Sequence, residues 1–283
     1  MTTDMRADAS MSNDTADAVA PVEVVSFAGV GVSFDGKETW ALRDLDLVIR
    51  AGERWVVLGA NGSGKTTLVR LITGYLHPTV GELALLGARL GHGVDWRVLR
   101  TRISVVSAAF AKMVRPQVIG RDLVMTAKYA ALEPWWHTYD AVDAAKAQSL
   151  LDNAGFGYLG DREFSTMSEG ERQQVQLARM LMAPPELVVL DEPAAGLDLG
   201  ARERLIARLG AIAADPEVPA AVLVTHHLEE IPPAFTHALL LKGGTAVSCG
   251  PIGDAISTDA VSEAFDVPVT VDLQGGRFTA RFR

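Results

Sequence analysis

Nine residues, Gly59-Ala60-Asn61-Gly62-Ser63-Gly64-Lys65-Thr66-Thr67, constrain this chain more than any other stretch. They fit the pattern G-x-x-x-x-G-K-[ST], whose glycines let the backbone curl until successive N–H groups face one anion. Trp55-Val56-Val57-Leu58 ahead of them reads as a short buried strand. Behind them Leu68, Leu71, Ile72 and Tyr75 recur at i, i+3, i+4 and i+7, the spacing of an amphipathic helix. A strand, a glycine loop and a helix N-terminus together form an anion cradle. In such a cradle Lys65 reaches the β- and γ-phosphates and the Thr66 hydroxyl ligates Mg²⁺. The stretch therefore implies a nucleoside triphosphate site.

The rest of the composition narrows the class. The 283 residues carry a net charge of −9, which argues against nucleic acid as a direct partner. No apolar run approaches the about 18 residues of a membrane span. The acid-rich start, with Asp4, Asp8, Asp14 and Asp17 against Arg6, lacks the apolar segment of a secretory signal. The single cysteine, Cys249, fits a reducing compartment and is expected to be partly buried.

Residues 1–21, rich in Ala, Asp, Ser and Thr, read as a disordered leader. From Val22 to about Gly91 the pattern is strand-rich, with Val30 to Phe34 and the apolar set Leu42, Leu45, Leu47 and Ile49. Val118 to Leu132 and Asp140 to Asn153 read as helices joined through Pro134-Trp135-Trp136. Leu187 to Leu190 and Ala221 to Val224 are continuous apolar runs of the kind found in parallel strands covered on both faces. Val267 to Arg283, turning at Gln274-Gly275-Gly276, reads as a terminal hairpin. With no internal repeat, the chain encodes one nucleotide-binding unit.

Two further segments carry chemistry. Leu187 to Leu190 lead into Asp191-Glu192-Pro193, which puts two acids at the strand end where α/β proteins bind ligands. Asp191 is the candidate second Mg²⁺ holder, and Glu192 the candidate base for the attacking water. Ser168 and Glu171 form a capping box opening a helix whose Val175, Ala178, Leu181 and Met182 are expected to face inward. A capped helix start is a second anion site.

In this order the segments resemble the nucleotide-binding subunit of ATP-binding cassette (ABC) proteins, over about Val22 to Pro251. The phosphate loop spans Gly59–Thr66, the signature Met167–Glu171 and the acidic strand Leu187–Glu192. The D-loop is Ala195-Gly196-Leu197-Asp198, and Thr225-His226 holds the switch histidine. The resemblance implies an α/β P-loop NTPase core with an N-terminal antiparallel β subdomain and an inserted helical subdomain. The cassette would run over residues 22–265, the insertion over about 110–168, and a hairpin-like extension over 266–283.

It also implies ATP and Mg²⁺ as cofactors, with ATP held by Gly59, Asn61, Gly62, Ser63, Gly64, Lys65, Thr66 and Thr67 of one subunit and capped by Ser168 and Gly170 of another. The dimer would be of identical or homologous subunits, with Asp198 organising its interface. His226 matches the residue that contacts the γ-phosphate. Phe34 matches the ring that stacks on adenine, with Trp40 as an alternative. His227 gets no catalytic role, and a paired-histidine metal site lacks further ligands.

Two departures stand out. The signature carries Met167, Glu169 and Glu171 in place of the usual Leu, Gly and Gln. The glutamine expected after Ile103-Ser104-Val105-Val106 is replaced by Ser107-Ala108-Ala109, with Ala108 in register and Gln117 about nine residues too late. Ser107 or water then fills the metal shell beside Thr66 and Asp191.

Three functions compete. In the first the chain is the motor of a transporter, cytoplasmic and peripheral on the inner face of the cell membrane, driving a separately encoded permease. Residues Ala130 to Trp136 are then one candidate docking surface. The second is a non-transport ABC ATPase acting on a partner complex, and the third a P-loop kinase or GTPase. The signature and switch motifs, and the lack of an N-K-x-D run, argue against the third.

Overall fold

The computed structural model describes residues 22–36, 38–89, 93–215 and 220–283. The leader expected over residues 1–21 lies outside them. Two sheets dominate the described residues. An antiparallel sheet has the order β2-β1-β4-β5, with β1 Glu23–Val32, β2 Leu42–Arg50, β4 Val80–Leu85 and β5 Ala88–Arg89. The strand expected at Val30 to Phe34 thus starts earlier and stops at Val32. Leu42 and Leu45 stand three apart yet are both buried, because the β1–β2 register slips between Val32↔Leu42 and Val30↔Leu45. Asp44 between them has φ 49°, a β-bulge that restores the facing of Leu45, Leu47 and Ile49.

The central sheet has the order β10-β9-β3-β8-β7-β6. It comprises β3 Arg54–Leu58, β6 Ile103–Ser107, β7 Leu187–Asp191, β8 Ala221–Thr225, β9 His237–Lys242 and β10 Thr245–Pro251. All pairings are parallel except β9–β10. Residues of β3 divide by parity: Trp55 and Val57 enter one core with α1 (Lys65–Ile72) and the antiparallel sheet. Val56 and Leu58 enter a second core beneath α7 (Leu199–Ala214) and α9 (Thr258–Phe265). Both faces are covered, which is why these strands read as unbroken apolar runs.

Helix α1 buries Leu68, Leu71 and Ile72 but ends before Tyr75, which is 59% exposed. Thr73 caps the helix and Gly74 turns the chain at φ 69°, so the fourth position of the apolar stripe falls off the helix.

The helical insertion forms a third core. It contains α4 (Gly120–Met125), extended by a 3₁₀ turn over Thr126–Tyr129, and α5 (Ala141–Asn153), opened by the Asp140–Asp143 capping box. Its third wall is α6 (Glu169–Met180). Pro134–Trp136 is a 3₁₀ turn, with Trp135 and Trp136 exposed. Two short helices, α2 (Trp96–Thr101) and α3 (Ala108–Met113), flank β6. Leu181 is corrected from inward-facing to half-exposed, because α6 ends at Met180 and Leu181 is its C-cap. Leu177 and Met180 take the inward places instead.

After β10, the single turn α8 (Ile252–Ala255) and α9 lead into a hairpin of β11 (Val269–Gln274) and β12 (Arg277–Phe282). Gly275 and Gly276 supply positive φ at its turn. The hairpin does not stand free: Phe278 is buried in the second core, and Arg277 pairs with Glu203 of α7. Cys249 lies exposed on β10, against the expectation of partial burial.

Candidate nucleotide site

The register of the central sheet assembles the site. Leu58 pairs with Thr225, Val224 with Asp191, and Asp191 with Ser107. The residues that follow four adjacent parallel strands therefore emerge at one edge: the glycine loop, His226, Glu192 and Ala108. Parallel strands with covered faces leave that carboxyl edge as the place for a ligand.

The loop is fixed by backbone geometry. Gly59 has φ 156°, and a Cβ there would come 2.4 Å from Leu241 O and 2.5 Å from Ser63 Oγ. Gly64, at φ 108°, lies against Ala41 O and Leu42. Ser63 O accepts the Gly244 N–H at 3.0 Å, so the β9–β10 turn holds the loop from below. Gly244 and Ser63 are 181 positions apart by the numbering, beyond any local pattern.

Two features fit a phosphate. Ser63 Oγ is buried with no hydrogen-bond partner. Buried polar atoms are nearly always paired, so an orphan facing this loop marks a place for a ligand oxygen. Lys65, buried, donates from Nζ to Gly59 O at 2.7 Å and Ala60 O at 3.1 Å. Its ammonium also stands 3.9 Å from Glu192 Oε1. Burial lowers the Lys65 pKa, with Glu192 and Asp191 pulling it back. Asn61, Gly62 and Thr66 are exposed on the same loop and helix start, with Thr67 half-buried.

The acids sit on the other side. Burial lifts the Asp191 carboxyl to about 6, with Glu192 adding repulsion and Lys65 opposing both. A cavity of about 520 Å³ is lined by Thr66, Ser107 and Asp191 together. Hydroxyl and carboxylate oxygens fit a small hard cation that keeps several waters. Ser107 Oγ accepts the Phe110 N–H at 3.0 Å as the N-cap of α3 and keeps a second lone pair.

Glu192 adopts φ 49°, a left-handed conformation that a non-glycine residue holds only when its surroundings impose it. Its N–H donates to Val224 O at 2.8 Å and its carbonyl accepts the Ala195 N–H. That turn swings the carboxylate to 2.7 Å from His226 Nδ1. The imidazole is close but off the line of a hydrogen bond, and Nδ1 has no other partner. Behind His226, buried Thr225 donates to Glu230 Oε2 at 2.5 Å and accepts the His227 N–H at 3.1 Å. Sequence reading missed Glu230, whose buried carboxylate braces the switch turn. The rings of His226 and His227 lie 4.0 Å apart, and His227 Nδ1 is 3.6 Å from Glu229.

The signature lies elsewhere. Ser168 accepts the Glu171 N–H at 3.3 Å while Glu171 Oε2 accepts the Ser168 N–H at 2.8 Å, the predicted capping box. The extra charge of Glu171 is met by Arg162 at 2.7 Å. Those bonds, the Ser168 N–H first, hold its pKa below the usual range. Glu169 lies so close to Gly196 that a Cβ there would be 2.2 Å from its Oε2. Ser168, Gly170 and Asp198 line one cavity, which no glycine-loop residue lines. Asp198 is also the N-cap of α7, accepting the Ala201 N–H at 2.7 Å. Within one chain, then, the two phosphate-facing segments do not meet.

Phe34 is 67% exposed beyond the end of β1. Trp40 is committed to packing, since a Cβ on Gly31 would come 2.7 Å from its ring.

Comparison with known proteins supplies the rest. A family model described as ABC transporter matches residues 42–195. The uncharacterized ABC transporter ATP-binding protein YlmA of Bacillus subtilis is 37% identical over 248 residues, covering 88% of this chain and 93% of that one. The uncharacterized ABC transporter ATP-binding protein YmeB of Lactococcus lactis is 34% identical, covering 86% of this chain and 94% of its own. Among solved structures, the dimeric ATP-binding cassette MJ0796 bound to ADP and Pi superposes with a TM-score of 0.69 at 23% identity, covering 81% of this chain and 98% of that one. That last likeness is one of fold.

Proposed function

This chain belongs to the ABC transporter family as an ATP-binding, ATP-hydrolysing subunit, and we propose how its residues divide that work. The observation that carries the reading is the convergence, at one sheet edge, of an orphan hydroxyl on the glycine loop, a buried lysine and a carboxylate 2.7 Å from an imidazole.

The loop N–H groups, Ser63 and Lys65 bind the β- and γ-phosphates, and Phe34 stacks on adenine. Thr66 and Asp191 hold Mg²⁺, with water or Ser107 completing its shell. When bound, that ion screens the phosphate charge. Glu192 orients the attacking water and takes its proton, and His226, beside that carboxylate, reads the γ-phosphate. Because Ser168 and Gly170 line a separate cavity, they serve the ATP of a second subunit, identical or homologous, with Asp198 at the interface.

The finer partner we infer is a separately encoded membrane permease. Among the described residues no helix is long and apolar enough to cross a membrane. The cavity that Thr66 and Asp191 line is walled on its far side by Phe110, Met113, Ala127 and Leu132 of the insertion. A permease segment seated there touches both the insertion and the metal-side residues. Trp135 and Trp136 of the insertion add exposed aromatic surface. On this reading the chain works at the cytoplasmic face of the membrane.

Co-purification from detergent tests the assignment. An integral membrane protein should come down with the tagged chain and raise its ATPase rate. Recovery with a soluble complex and no membrane protein would favour the non-transport reading.

A further inference from the structure

The buried face of α6 changes character where it passes the end of β6. Leu177 and Met180 continue the core, but Gln173 and Gln176, one turn apart, are 6% and 4% exposed. A buried amide is costly unless partnered. Gln176 Oε1 accepts the backbone N–H of Ser107 at 3.1 Å, a bond across 69 residues. Gln173 Oε1 is buried with no partner. Both line a cavity of about 300 Å³ together with Ser107, Ala108 and Glu192.

Ser107 is the residue paired with Asp191 across the β6–β7 ladder. The Gln176 side chain therefore joins α6, capped at Ser168, to the strand end opposite the metal-side acid. This junction lies where the chain has Ala108 and no glutamine.

Resting on the ATPase reading above, we propose that Gln176 is a positioning residue that ties α6 to the metal-side strand end, in place of the glutamine missing at Ala108. Displacement of α6, or of the helical subdomain built on it, reaches Asp191 through Ser107. The helix that faces one nucleotide is thereby linked to the metal side of the chain's own nucleotide.

The test uses Gln176→Met, which keeps volume and removes the acceptor, and Gln176→Ala as a second variant. Backbone hydrogen exchange at Ser107 in the nucleotide-free chain reads the link directly. It should quicken about tenfold, the loss of one buried hydrogen bond. ATP turnover should fall about tenfold in kcat with KM for ATP within about twofold, since binding groups are untouched. Adding Ala108→Gln to Gln176→Met should recover most of kcat, because a glutamine there enters the cavity that Gln173 and Glu192 line. A merely structural role would instead lower the melting temperature and leave the second substitution without effect, and that result overturns the inference. Unchanged Ser107 exchange in both variants also overturns it, whatever the turnover. A wild-type chain that binds but never hydrolyses ATP would instead refute the ATPase reading, leaving the exchange comparison to decide the Gln176 link by itself.

Discussion

Replacing Glu192 by glutamine isolates what its charge does. The carboxylate lies 2.7 Å from His226 Nδ1 and 3.9 Å from Lys65 Nζ. The substitution keeps shape and hydrogen-bonding atoms but removes the proton acceptor, so the chemical step should slow by about 100- to 10,000-fold. That is roughly 3 to 5 kcal/mol of barrier. Binding should move the other way. At an effective dielectric of about 20, unit charges at the Lys65–Glu192 separation attract by roughly 4 kcal/mol before solvation is counted, so the net hold on the ammonium is a fraction of that. Releasing it frees Lys65 for phosphate and removes one negative charge from beside the anion site. ATP should then bind as tightly or more tightly, and the ATP-bound dimer should persist in gel filtration. A secondary consequence is specific to this geometry. Glu192 is one of the groups that raise the Asp191 pKa, so the variant should shift Asp191 downward, readable by carboxyl-carbon NMR. The measurements are single-turnover hydrolysis, equilibrium ATP binding and that titration. Turnover within about threefold of wild type would refute Glu192 as the base.

Other expectations follow from the same geometry. Lys65→Ala should weaken ATP binding itself by about 100-fold or more in calorimetry, since among the described residues no other cation is held at the loop by Gly59 O and Ala60 O. Phe34→Ala should raise KM for ATP about fivefold at unchanged kcat, the worth of one stacked ring, whereas Trp40→Ala should lower the melting temperature because that ring packs on Gly31. Asp191 keeps its proton up to about 6 in the folded chain but sheds it near 3.8 when unfolded. Its contribution to folding is therefore full below 3.8 and is lost as pH rises through about 6. Metal requires the ionised form, so the Mg²⁺ concentration for half-maximal ATP binding should rise about tenfold per pH unit below that point, and Asp191→Asn should flatten the dependence.

The sequence alone determined the parts that depend on local chemistry. The glycine loop, the capping box at Ser168 and the acids ending Leu187 to Leu190 are each written within a few residues, because a turn, a cap or a strand end is specified by its neighbours. Periodicity was trustworthy inside elements and failed at their ends. Tyr75 and Leu181 continue an apolar spacing past the last helical residue, where the C-caps Thr73 and Leu181 release the chain and spacing loses its meaning. Tertiary structure decided everything carried by register and long-range contact. Parallel pairing of β6, β7, β8 and β3 is what brings Ser107, Asp191, His226 and the loop to one edge. No local pattern forecasts that Gly244 holds Ser63, that Glu230 braces Thr225, or that Gln176 reaches Ser107. Gly244 and Ser63, and Gln176 and Ser107, are far apart in the chain, while Thr225 and Glu230 are five residues apart across a turn that no periodicity describes. In each case the hydrogen bond is fixed by position in space, which packing of the two cores and the insertion sets.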